Sequence, residues 1–228
     1  MHNERTFKTY SVDIETVSQG KRAVDYTNGK YYKPASNIKD PEKIKANIQK
    51  QKDAANDKHG LHWTLGKIVS VCFVDVFGDD KDVVLYGFDE IEILTKATEF
   101  LCGAKIIGKT SENFDWPFMI GRYMANGLTV PLSLKSRGLM YDVDKIFGWS
   151  SASGQRGRLD DYAHGIGFKS KPMQGSQVQK LYDTILLAKM EGDKVAEEAG
   201  WKELTDYNLH DGHVVKALCL AYYGKEGM

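Results

Sequence analysis

The sequence predicts an α/β fold in which a sheet carries helices on its faces. Three observations predict it: strand-like segments come first, strand and helix then alternate, and the last third is mostly helical. A chain of 228 residues, 42% of them hydrophobic, has enough material for one substantial core and favours a single domain over residues 1–228.

Phe7 to Ile14 is rich in apolar and β-branched residues and reads as the first strand. Ile68 to Phe77 is the clearest strand in the chain. The turn Gly78-Asp79-Asp80 and a third strand around Val83 to Tyr86 make an antiparallel meander. A helix from about Asp89 to Leu101, closed by Gly103, precedes a short strand at Lys105 to Ile107. Phe118, Met119, Tyr123 and Met124 give Asp115 to Asn126 a helical period, which Asn126-Gly127 ends. Further helices are expected near Asp142 to Phe147, Leu159 to Gly165, Gln177 to Glu191 and Asp206 to Tyr223. Ser176 and Gln179 have the spacing of a capping box at the start of the 177–191 helix.

Between the first two strands lies a stretch too long for a hairpin, an insertion at about 18–65. Asp40 as N-cap and Pro41 at the first helical position begin a lysine-rich helix to about Lys58. A solvated face and a flap beside a substrate strand are both compatible with it.

Lys and Arg balance Asp and Glu at 31 each, which excludes the global positive field of a protein that coats nucleic acid. An enzyme that grips one chain end through bound cations is not excluded. Cys72, Cys102 and Cys219 are odd in number and sit among apolar neighbours, so they are expected to be buried, reduced thiols of a cytoplasmic protein. No apolar run reaches membrane length, and no membrane partner is expected.

Three short motifs carry the chemistry: Asp13-Ile-Glu15, Asn113-Phe114-Asp115 and Tyr207-Asn-Leu-His-Asp211. Residues two apart on a strand share a face, so Asp13 and Glu15 are expected to project together at the strand's end. Two such carboxylates repel unless a cation lies between them, and magnesium takes oxygen ligands while keeping positions open for phosphate. An exposed pair beside a turn is the plainer account of a D-x-E motif. Asp115 stands at the start of a helix, where capping and metal support are compatible. Tyr207 and Asp211 are one helical turn apart on one face, where a carboxylate can bind metal while a phenol contacts a water.

Taken together, the three motifs resemble the DEDD exonuclease superfamily with the ribonuclease H-like fold, in its tyrosine-bearing branch. Gly108-Lys-Thr-Ser-Glu-Asn-Phe-Asp-Trp-Pro-Phe118 resembles the second exonuclease motif of family B DNA polymerases. Arg158-Leu-Asp-Asp-Tyr-Ala-His-Gly-Ile-Gly167, Gly175-Ser-Gln-Val178 and Tyr207 to Asp211 are similar to stand-alone, phage-type exonucleases of that kind, as are Pro34 to Ile44 and Thr64 to Ile68. The resemblance spans nearly the whole chain. It implies a mixed sheet with three antiparallel strands followed by parallel ones, and a 3′-to-5′ exonuclease acting on DNA 3′ ends, single-stranded or frayed, in proofreading or end-trimming. It implies two divalent cations, Mg2+ or Mn2+, held by Asp13, Glu15, Asp115 and Asp211, with Tyr207 orienting the attacking water. Thr16, Thr110, Asn113, Phe118, Arg156 and Arg158 are the residues expected to contact the strand, and a replicative polymerase or helicase is the partner implied. One position departs from the pattern: Thr110 stands where the family usually has asparagine.

Other motifs weigh less. His210 and His213 lack a second ligand pair for structural zinc, and His164 reads as an ordinary helix residue. The glycine spacing of Gly60 to Lys67 is one too long for a phosphate loop. A 3′-to-5′ exoribonuclease and a catalytically silent nucleic-acid-binding subunit of a replication complex are the alternatives to the DNA exonuclease.

Overall fold

The computed structural model describes residues 8–171 and 173–224; Phe7, where the first strand was expected to begin, lies outside them. Five strands form one mixed sheet: β1 (Thr9–Ser18), β2 (Gly66–Asp75), β3 (Val83–Tyr86), β4 (Lys105–Gly108) and β5 (Met140–Asp142). Their order is β3-β2-β1-β4-β5. β1 pairs antiparallel with β2, and β2 with β3, whereas β4 and β5 run parallel to β1. The helices are α1 (Lys21–Gly29), α2 (Pro41–Asn56), α3 (Glu90–Phe100), α4 (Asp115–Ala125), α5 (Leu132–Lys135), α6 (Val143–Ile146), α7 (Leu159–Gly165), α8 (Val178–Glu191) and α9 (Lys194–Tyr223). This is the ribonuclease H-like mixed sheet flanked by helices that the resemblance implied.

Strand alternation sorts β1 into two faces. Tyr10, Val12 and Ile14 join Phe73, Leu94, Met119 and Tyr123 in a core beneath α3 and α4. Val17 faces the other way and packs with Val69, Ile185, Trp201 and Leu204 under α8 and α9. Val214, Val215 and Leu218 of α9 close a third cluster with Ile107 and Val143. Fully burying each such aliphatic side chain contributes about 1.5–3 kcal/mol, so α9 is held on the sheet along much of its length. Glu90 links three elements from a buried position: it accepts from Arg122 Nε (2.8 Å), the backbone N–H of Ile68 (2.7 Å) and Asn126 Nδ2 (2.9 Å).

Several boundaries differ from expectation. β1 continues four residues past Ile14, because residues 15–18 keep pairing with β2 across a register shift between Glu15 and Thr16. The Asp13-Ile-Glu15 motif therefore lies inside a strand and not at its end. α9 begins at Lys194, capped by Asp193, well before Asp206. The expected Ser176–Gln179 box does not form and α8 has no side-chain cap; the box lies one turn earlier, in the 3-10 turn Gly175–Gln177, where Gln177 Oε1 accepts from the N–H of Gln174 at 2.8 Å. The Gln179 side chain instead reaches β1, accepting from the N–H of Ser18 at 2.7 Å. Met124 is 61% exposed, outside the core face of α4, and Cys102 is exposed while Cys72 and Cys219 are buried. Among the described residues no helix is long and apolar enough to cross a membrane.

Candidate active site

The site is built where β1 outruns its parallel neighbour. Ser11 pairs with Ile107, and β4 ends one residue later at Gly108, so Asp13 and Glu15 emerge beyond the end of β4. Both lie on the face of β1 that α8 and α9 cover. The register shift after Glu15 bends the strand there, a common device for aiming a side chain. α4 starts just past β4 and supplies Asp115 as its first residue, 5% exposed. α9 crosses β2 and presents Tyr207, Asn208 and Asp211 on one face, all buried.

The crossing is close because residue 212 is glycine. A Cβ there would sit 2.8 Å from Val74 Cγ2 and 3.1 Å from Cys72 Sγ. Asn208, wholly buried, then bridges helix and sheet: its Nδ2 donates to Asp13 Oδ2 at 2.7 Å, and its Oδ1 accepts from Ser70 Oγ at 2.8 Å.

Electrostatics binds these residues into one cluster. Burial pushes the Asp13 and Glu15 carboxyls well above the ordinary carboxylate range. Asp13 is raised further by Glu15, Asp211 and Asp115, and Glu15 by Asp211 and Asp115. Asp115 is pushed up to about 7, mainly by burial, with Asp142 and Asp211 adding to it. Burial, with Glu15, Asp211, Asp13 and Asp160 adding to it, raises the Tyr207 phenol, which therefore keeps its proton.

Among the described residues, one cation stands in this cluster. Lys171 Nζ donates to Asp211 Oδ2 at 2.5 Å, lies 5.2 Å from the centre of the Tyr207 ring, and lowers the pKa of both Asp13 and Glu15. Asp160 fixes it by accepting the Lys171 N–H at 3.1 Å. The loop that follows brings Gly175 to Tyr207, where a Cβ would meet the phenol oxygen at 3.4 Å.

The structure thus brings together Asp13, Glu15, Asp115, Tyr207 and Asp211, and adds Asn208 and Lys171. Asn208 sits inside a recognised motif beside Tyr207, and its helical position is the signal that finds it. Lys171 lies in a loop with no pattern around it. The residues expected to contact a strand are scattered. Thr16 adjoins Glu15, but its hydroxyl donates to the Gly60 carbonyl at 2.6 Å. Phe118 is 3% exposed and packs in the core beneath α3 and α4. Asn113 and Arg158 are exposed. Thr110 and Arg156 belong to a second cluster around Asp144, which receives Lys109 Nζ (2.8 Å), Thr110 Oγ1 (3.4 Å), Arg156 Nε (3.6 Å) and Tyr162 OH (3.0 Å). Both histidines of the 210–213 pair have other partners: His210 reaches the Lys169 carbonyl at 2.8 Å, and His213 reaches Asp82 Oδ2 at 3.0 Å.

Among the described residues no group of three or more His, Cys, Asp or Glu side chains is drawn together tightly enough to hold a metal as it stands. Lys171 and Asn208 each occupy one oxygen of the acids, at Asp211 and Asp13.

No protein-family model and no curated protein matches the chain. Among solved structures, it is similar to the family B DNA polymerase from the hyperthermophilic archaeon Pyrobaculum calidifontis, with a TM-score of 0.53 and 14% sequence identity. The match covers 95% of this chain and 24% of the polymerase, so the chain spans about a quarter of that protein's length. At this identity the likeness is one of fold.

Proposed function

We propose that the protein is a metal-dependent 3′-to-5′ exonuclease that removes nucleotides from the 3′ end of DNA. The observation that carries this reading is the convergence of four acids from three separate elements with a single lysine to offset them. Buried carboxylates that raise one another's pKa form a charge deficit that a divalent cation relieves. The donor set is all oxygen, which suits magnesium or manganese. Asp13, Glu15, Asp115 and Asp211 would hold the ions, with Asp211 released from Lys171 and Asp13 sharing its carboxylate with Asn208. When bound, such ions supply an activated water and neutralise the leaving oxygen.

The chain's own residues do the rest. Tyr207, whose phenol stays protonated, acts as a hydrogen-bond donor that orients a water or phosphate oxygen, not as a base. Lys171 supplies positive charge beside the same oxygens. Asn208 fixes the Asp13 carboxylate through one of its oxygens and leaves the other without this bond. Further support comes from the polymerase-like fold and from motifs resembling tyrosine-branch exonucleases, phage-type ones among them, which point to DNA ends and to a polymerase or helicase working alongside.

The test is digestion of end-labelled single-stranded DNA and RNA with and without manganese. Stepwise shortening of DNA from its 3′ end is the expected result. RNA-only shortening would replace this reading with an exoribonuclease, and binding without cleavage would leave a silent subunit.

A further inference from the structure

Although the whole chain is neutral, its charge is segregated. Residues 19–65, between β1 and β2, carry ten Lys and Arg against five Asp and Glu, a net of +5 that leaves −5 for the remainder. Within the segment only Lys21 and Lys45 find carboxylate partners, Asp25 and Glu42; among the described residues its other eight cations are in no ion pair. α2 buries none of its 16 residues. One side of it holds the preceding loop, with Asn47 Oδ1 accepting from Ala35 N–H at 3.2 Å and Gln51 Nε2 donating to the Lys33 carbonyl at 3.1 Å. Lys43, Lys45 and Lys50 are left exposed. A helix that keeps its lysine face open and buries no residue fully serves something other than the core.

Aromatic rings stand among these cations. Tyr31 is 88% exposed and Tyr26 is 53% exposed, with Lys30 Nζ 4.3 Å from the Tyr26 ring centre. Tyrosines normally bury much of their ring, so two solvent-exposed rings among lysines without ion pairs stand out.

The segment is nevertheless rooted firmly, and rooted at the acids. His59, 1% exposed, bonds Thr27 Oγ1 at 2.6 Å and Ser18 Oγ at 3.4 Å. The Gly60 carbonyl takes the hydroxyl of Thr16, the residue after Glu15, and a Cβ on Gly60 would lie 3.3 Å from Val17 Cα.

We propose that residues 19–65 form a binding surface for single-stranded nucleic acid, with the lysines holding phosphates and Tyr31 and Tyr26 stacking on bases. A duplex hides its base faces, whereas a single strand offers both the charge and the rings this surface complements. The root at Thr16 to Ser18 places the surface so that a strand lying on it can end at Asp13 and Glu15. Only this last step rests on the exonuclease reading; binding itself does not.

The experiment is fluorescence anisotropy of a labelled oligothymidylate of about twenty nucleotides, in chelator so that nothing is cut. Tyr31→Ala should weaken binding about tenfold, within the range for one stacked base. Lys39→Ala, Lys43→Ala and Lys50→Ala combined should reduce the slope of log affinity against log salt by about 0.7 for each phosphate no longer neutralised. These are surface positions, and circular dichroism checks that each variant folds. Unchanged affinity and salt slope in both surface variants overturn the proposal, as does equally strong competition by polyglutamate, which would mark a surface for acidic proteins. Cleavage by the unaltered protein together with unchanged binding in the variants rejects this surface alone. Loss of binding in the variants without cleavage by the unaltered protein rejects the exonuclease alone.

Discussion

Single residues divide into those whose role follows from spacing and those placed by the fold. Asp13 with Glu15, and Tyr207 with Asp211, were legible because the strand period of two and the helical turn of four are properties of the backbone. Asp13→Ala and Asp211→Ala should each abolish hydrolysis in a labelled-strand assay, while Tyr207→Phe keeps the ring and should leave measurable activity. Full activity in Asp211→Ala would sink the site assignment. Lys171 and the backbone at Thr110 were not legible, since a loop lysine and a left-handed conformation leave no periodic trace, whereas Asn208, three residues before Asp211 on the same helix, has a spacing that could have been read. Thr110 is the one residue other than glycine with positive φ, at 61°, among the described residues. A β-branched side chain in that region costs about 1–2 kcal/mol, and asparagine tolerates it far better. Thr110→Asn should raise the melting temperature by about 2–4 °C for a stabilisation of about 1 kcal/mol in a chain of this size. An unchanged or lowered melting temperature would show that no strain resides there.

Among the elements, α9 governs the site, because its contact with β2 sets where Asn208 and Asp211 stand. That contact depends on Gly212, whose missing side chain lets the helix approach Val74 and Cys72. Gly212→Ala should cost about 1–3 kcal/mol in urea unfolding and reduce activity as well, since the helix must move outward. Val74→Ala in the same chain makes room and should recover part of both losses; no recovery would place the damage elsewhere. The first half of α9 escaped sequence reading for a related reason. Gly200 reads as a helix breaker, yet a Cβ there would sit 2.5 Å from Ile185 Cγ1, so glycine is what allows α8 and α9 to pack. α1 escaped because only Ala23 and Thr27 are buried in it, too few apolar positions to show a period. The meander and α4 were legible because each combines an apolar pattern with a clear turn signal, Gly78-Asp79-Asp80 in the one and Asn126-Gly127 in the other.

For the molecule as a whole, the acid cluster ties stability to pH and to cations. An unfolded carboxyl titrates near pH ~4, whereas in the fold Asp115 is pushed up to about 7 and Asp13 and Glu15 are also well above the ordinary range. Between those values the folded chain holds protons that the unfolded chain has released. Stability present at low pH is therefore lost as pH rises through the folded-state values. The metal-free protein should melt at a higher temperature at pH 5.5 than at pH 8, the reverse of a fold held by salt-bridged carboxylates with depressed pKa values. A cation that binds only the folded, ionised cluster opposes this trend, adding about 2.7 kcal/mol at one hundred times its dissociation constant. Thermal melts in chelator and in millimolar manganese across this pH range separate the two effects. A falling curve in chelator that manganese flattens or reverses is the expected pair. A flat or rising curve in chelator would mean that the acids are not buried together, and a falling curve indifferent to manganese would mean that they are clustered but hold no metal.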